Sequence, residues 1–186
     1  MPGRTPQEAV QNYIDPLKRA VGCLDGYSQI FVADRVGKVG SQGAWMLNGP
    51  EGMELKGFGT LFAEQRFELV ETDPERFDIS VGRFRISTRM YNYKLVREAE
   101  GIEIRWHWHP VGNSHEFRPH IHPSFNLKAH MPSPRYSLEE IVESCISLGA
   151  RPSCEDWQSR LLETDGIHKL YRTWSNDPTE QQPHRV

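Results

Sequence analysis

Two His-x-His pairs, His107-Trp108-His109 and His120-Ile121-His122, stand close together in this chain, and six of its eight histidines fall between His107 and His130. An imidazole titrates near pH 6.5, so it can give or take a proton under physiological conditions, and in its neutral form it is a metal ligand. Cations surround the pairs: Lys94 and Arg105 precede them, and Arg118 stands just before the second. Three kinds of chemistry follow. In the first, His107 and His120 act as general base and acid in phosphodiester cleavage, His109 and His122 support them, and Arg105, Lys94 or Arg118 holds the phosphate, with no cofactor required. In the second, His107, His109, His120 and His122 hold zinc or another first-row transition metal. The spacing has some likeness to the first cupin motif, but Glu116 comes later than that motif requires and the second cupin motif is missing. In the third, the histidines shape the edge of a non-catalytic protein-interaction domain. Taken singly, His130 and His168 read as structural.

The elements that must position these groups are strands. From Ile102 to His109 apolar and polar residues alternate, so Ile102, Ile104, Trp106 and Trp108 share one face, and Glu103, Arg105, His107 and His109 the other. If Glu98 to Gly101 closes a hairpin with the run Phe84 to Arg97, then Arg97 opposes Ile102, Leu95 opposes Ile104, Tyr93 opposes Trp106 and Tyr91 opposes Trp108. The same register sets Lys94 beside Arg105, Asn92 beside His107 and Met90 beside His109. One face is thus aromatic core, and the other gathers cations and imidazoles. Arg83, Arg85 and Arg89 lie nearby; Arg89 is a further candidate for contacting a nucleic-acid backbone.

Elsewhere, Thr5-Pro6-Gln7-Glu8 caps a helix that Pro16 should kink or divide and Gly22 should stop. Ile30 to Ala33 is a short β-prone run. Seven of the 15 glycines lie from Gly37 to Gly59, which predicts irregular backbone or bulged strands and matches no phosphate loop. Phe67–Val70 and Phe77–Val81 are strand-like and flank the turn signal Asp73-Pro74, so a hairpin is the simplest arrangement. Ser137 and Glu140 form a capping box for a second helix ended by Gly149, and Ser153 caps a third that stops near Gly166. The expectation is a single α+β domain over 1–174, a twisted antiparallel β-meander of about five or six strands with the N-terminal and C-terminal helices on one face, followed by a flexible tail at 175–186.

With 22 basic and 25 acidic residues the net charge of −3 gives no global attraction to nucleic acid or membrane, so an anionic partner needs a local patch. Cys23, Cys145 and Cys154 form no Cys-x-x-Cys pair and read as reduced packing residues. Met1 to Gln11 lacks the apolar core of a secretion signal, and no run approaches the roughly 20 apolar residues that span a bilayer. The expected location is the cytoplasm.

The succession Tyr91-Asn92-Tyr93-Lys94-Leu95-Val96, Gly101 to Arg105, a polar loop, Pro119-His120-Ile121-His122 and Ser137-Leu138-Glu139-Glu140 resembles the TumE-like bacterial toxin family over about 77–148. Where that family commonly has Arg-Tyr-Asp-Asn, this chain has Arg105-Trp106-His107-Trp108. The resemblance implies a toxin of a toxin–antitoxin pair acting on RNA, with an antitoxin as partner. It marks Tyr93, Arg105, His120 and His122 as site candidates. The function expected at this point is a toxin-like or defence-associated, metal-independent endoribonuclease.

Overall fold

A computed structural model describes residues 2–33, 36–75, 78–110, 116–171 and 173–174. The expected tail at 175–186, the loop 111–114 and His115 lie outside the described residues. Among those described, the chain runs α1 (Pro6–Val21), β1 (Ile30–Ala33), β2 (Gln42–Leu47), β3 (Met53–Leu55), β4 (Gly59–Glu71), β5 (Phe84–Arg97), β6 (Ile102–Trp108), β7 (His120–His122), β8 (Met131–Pro132), α2 (Leu138–Ser147), α3 (Trp157–Tyr171) and β9 (Thr173–Trp174). The fold is α+β, as expected, but the sheet has nine strands rather than five or six. Their order is β1-β2-β4-β5-β6-β7-β8, β3 pairs with β4, and only the short β9 runs parallel, against β5.

The β5–β6 hairpin has the register its alternation requires, from Arg97↔Ile102 to Tyr91↔Trp108. Gly101 takes φ +64° at its turn, a conformation open to glycine at little cost. The ladder stops one pair short of Met90–His109, because β6 ends at Trp108. Tyr91, Tyr93, Trp106 and Trp108 are buried on the face that the helices cover. At its other end β5 carries a bulge, where Arg66↔Met90 is followed by Phe67↔Thr88. Arg89 is the extra residue, and the bulge lets both Thr88 and Tyr91 face the core despite their odd spacing.

Several expectations are corrected. Segment 37–59 is less irregular than expected: it contains β2, β3 and the first residue of β4, with a 3₁₀ turn at Gly49–Glu51; Gly43 and Gly59 lie in strands, while Gly52 and Gly57 serve turns at φ +69° and +66°. Phe67–Val70 belongs to the much longer β4, whose partner begins only at Phe84. Phe77 is outside the described residues, and the segment after it is a turn: the Asp78 carboxylate accepts from the Ser80 amide at 2.8 Å, a local bond that competes with strand pairing. Pro16 does not divide α1, which continues to Val21 with its buried stripe intact. Ser153 donates to the Gly22 carbonyl rather than capping α3.

Gly166 does not stop α3 either. One helical glycine costs about 1 kcal/mol relative to alanine, and tertiary contacts beyond it outweigh that. His168 is buried, with Nδ1 on the Glu139 carboxylate of α2 and Nε2 3.2 Å from the Tyr13 carbonyl of α1. The three helices are therefore tied together through one imidazole, and His168 is structural. Beneath them Tyr13 donates to Gln65 Oε1 on β4, which also accepts from Trp45 Nε1 at 3.3 Å, while Gln65 Nε2 donates to the Tyr93 hydroxyl. No helix among the described residues is long and apolar enough to cross a membrane.

Candidate metal centre

Opposed residues of an antiparallel ladder share a face, so the pairings lay out the open side of the sheet as rows across the strands. One row runs Phe31–Met46–Glu64–Asn92–His107–His120–Pro132 from β1 to β8. Its neighbour runs Phe62–Lys94–Arg105–His122. Extending the β7–β8 register by one pair sets His130 opposite His122, and those ring centroids are 4.6 Å apart. His109 lies two residues after His107, just past the end of β6, its ring 5.3 Å from that of His120. Five imidazoles from two strands and the flanking segments thus form a nest centred on His120.

Two triads can hold a metal ion, His107–His109–His120 and His120–His122–His130, with ligand atoms in each within 4.8 Å of one another. Around a tetrahedral zinc ion with bonds of about 2.0–2.1 Å, neighbouring nitrogens are roughly 3.4 Å apart, so each ring needs to move by only about 1 Å. His120 belongs to both triads. Its Nδ1 donates to the Arg118 carbonyl at 2.8 Å, which fixes the tautomer and leaves the lone pair on Nε2. That atom is buried with no hydrogen-bond partner among the described residues, in a side chain that is 0% exposed. His122 is held the same way, Nδ1 donating to the Leu127 carbonyl at 2.9 Å, while its Nε2 meets His107 Nδ1 at 3.2 Å. A ring whose far nitrogen donates to a main-chain carbonyl is a ligand fixed in orientation.

Burial lowers the pKa of His107 to about 3, with the neighbouring rings of His122, His120 and His109 adding to the effect. Burial likewise lowers His120, helped by His130 and His109, and His122, helped by His120. Burial therefore favours the neutral form of His107, His120 and His122. Without metal, the folded state resists protonation between the unfolded pKa of about 6.5 and the folded value. The unfolded chain binds more protons in that window. Metal-free protein is accordingly expected to lose stability as pH falls from 6.5 toward 3, read as a lower urea midpoint at pH 5 than at pH 7.5. The loss should be smaller in His107→Asn; an equal loss in that variant would contradict this assignment.

The cations are arranged differently from the phosphate grip that the sequence suggests. Arg118 is exposed and bonds its neighbour Glu116 through Nε and Nη2 at 3.0 and 2.8 Å, and this contact holds the Glu116 carboxyl at about 2. Arg89, on the bulge, is paired with Glu68 at 2.9 Å. Arg105 meets Glu103 through Nε, and Lys94 lies 4.0 Å above the Phe62 ring. Tyr93 does not reach this surface; it is fully buried on the helix side and bonded to Gln65, because odd-numbered residues of this part of β5 face the core. Lys94, Arg105 and His107 do line one open pocket of about 380 Å³ with Glu64, Asn92 and Met46.

His130 is the site residue that the sequence reading leaves aside. The clue was a second hairpin: Pro123 and Asn126 begin turns, with backbone bonds of 3.0 Å from Asn126 to Pro123 and from Ala129 to Asn126, which return the chain to β8. No protein-family model, curated protein or solved structure matches this chain.

Proposed function

We propose that this protein is a transition-metal-binding domain whose ion, zinc or another first-row metal, is held by His120 Nε2 with two or three of the imidazoles around it. The observation that carries this reading is the buried, unpartnered Nε2 of His120, oriented by the Arg118 carbonyl and ringed by four other histidines. Leaving such an atom desolvated and unbonded costs about 1–3 kcal/mol, and a metal ion converts that cost into a bond. The all-imidazole donor set suits zinc, copper, nickel or iron(II). A bound ion supplies Lewis acidity next to a pocket carrying Lys94 and Arg105, where an anionic group can approach it. Cys23, Cys145 and Cys154 are free thiols, which agrees with a reducing cytoplasm.

A second reading keeps the toxin-like, metal-independent cleavage of RNA, with an antitoxin as partner. Its support is the Lys94–Arg105 pair beside His107 and Asn92 on one open face. It ranks below the first because Arg89 and Arg118 are occupied by carboxylates, Tyr93 is buried, and burial disfavours the protonated form of His107 and His120 that a general acid needs.

Elemental analysis of untagged protein separates the two. The expected result is one first-row metal ion per chain, because His120 Nδ1 is already engaged and only one of its nitrogens is open. Metal-free protein that cleaves RNA, and loses the activity in His107→Ala, would overturn the assignment in favour of the second reading.

A further inference from the structure

The open face of the sheet carries more than the histidines. Along the row from β1 to β6 its character changes in order: Phe31 and Met46 are apolar and 49% and 38% exposed, Glu64 and Asn92 are polar, and Lys94 and Arg105 in the adjoining row are cationic. The pocket that holds Lys94 and Arg105 shares Met46, Gly49 and Glu64 with a second pocket of about 360 Å³, which continues over Phe31, Ala44, Met90 and the exposed Arg66. Together they make one groove crossing the strands. Strands lie about 4.8 Å apart, so from Met46 on β2 to His107 on β6, three strands over, is roughly 14 Å. Phe31, Met46 and Met90 line one continuous depression beside polar groups, the kind of contiguous apolar surface that marks a ligand groove.

We infer that this groove binds an amphipathic anion. Its carboxylate or phosphate head would lie between Lys94 and Arg105, a hydrogen-bond donor next to the head would face Glu64 in the adjoining row, and an apolar tail would cover Met46, Phe31 and Met90. Charge sets the polarity of the ligand: Lys94 and Arg105 stand together at one end, whereas Arg66 is the single cation beside Met90 in the second pocket. Arg105 has five N–H donors and Glu103 engages the one on Nε, so its fork still suits an acidic head. Lys94 stands over Phe62 at the same end. Glu64 accepts from Asn92 Nδ2 at 3.0 Å and, as a carboxylate with two oxygens, can accept again from a ligand amide or hydroxyl. A wholly apolar body would desolvate Glu64 without compensation, and a cationic head would be repelled where the groove is most polar. An N-acyl amino acid carries an acidic head, an amide donor and an apolar tail in that order. None of these contacts requires a metal ion, so the inference stands apart from the imidazole nest.

The test is calorimetric titration of N-octanoylglycine, decanoate and decylamine into the full chain, both chelator-treated and zinc-loaded. N-octanoylglycine is expected to bind both forms, more tightly than decanoate, and decylamine is expected not to bind. Met46→Glu and Lys94→Glu, both at solvent-facing positions, should each weaken N-octanoylglycine by about tenfold or more, the equivalent of about 1.4 kcal/mol. Glu64→Gln should reduce the preference for N-octanoylglycine over decanoate. The inference is overturned if neither anion binds either form, if decylamine binds as well as the anions, or if both charge-introducing variants retain full affinity. Zinc stoichiometry measured on the same samples reports on the nest separately.

Discussion

His120→Ala is expected to abolish tight metal binding, weakening it by more than about 100-fold, whereas His109→Ala and His130→Ala each retain a measurable site. His120 is the one ring common to both triads, so its loss dismantles both, while loss of His109 leaves His120–His122–His130 and loss of His130 leaves His107–His109–His120. The magnitude follows from comparison: removing even an outer partner of a metal ligand typically costs 10–100-fold, and a ligand costs more. A thermal readout makes the difference visible. Metal at about 100 times its dissociation constant stabilises the native state by roughly 2.7 kcal/mol, which for a chain of this size raises Tm by about 5–10 °C. That rise is expected in the unmodified protein and absent in His120→Ala. Equal rises in both, with circular dichroism showing both folded, would place the ion elsewhere.

His168→Ala is the other large effect, and it concerns the scaffold. Its side chain and that of Glu139 are 2% and 1% exposed, so the pair is shielded from solvent. A buried hydrogen bond to a charged group contributes about 1.5–3 kcal/mol, so loss of the imidazole from the Glu139 carboxylate is expected to cost about that much. The same change cuts the link from α3 to the Tyr13 carbonyl. Urea unfolding should show the loss, and His168→Ala with Glu139→Ala should cost less than the sum of the two single changes. A loss below about 0.5 kcal/mol, the range of ordinary surface substitutions, would mean that the helices are held by other contacts.

The contrast between these histidines shows what was legible beforehand. The β5–β6 register was readable because one face of the hairpin is apolar and aromatic core and the four-residue loop sets the pairing: a slip by one residue would bury Lys94 against Trp106. From that register the approach of Lys94, Arg105, Asn92 and His107 followed directly. His120 and His122 were identified by their spacing, but their burial was not, since it comes from the segment at 123–130 folding back toward them. For the same reason His130 read as an isolated residue. A two-residue strand such as β8 has too few side chains to show a period. Local signals failed where tertiary contacts prevailed. Gly166 looked like a helix stop because nothing nearby in the sequence announces that His168 will be anchored by Glu139 and Tyr13. The glycines at 37–59 looked like loop because their turns are close together, although Trp45 and Met53 between them are core residues. Tyr93 shows the limit of resemblance: the motif marked it for binding, while its phase against Trp106 had already assigned it to the core.

The most direct measurement is X-ray absorption at the zinc edge of untagged protein carrying one equivalent of zinc. The expected spectrum shows imidazole nitrogens as the protein donors, at about 2.0–2.1 Å, and it changes in His120→Ala. A shell made only of oxygen, or a spectrum that His120→Ala leaves untouched, would show that the histidine nest does not hold the ion.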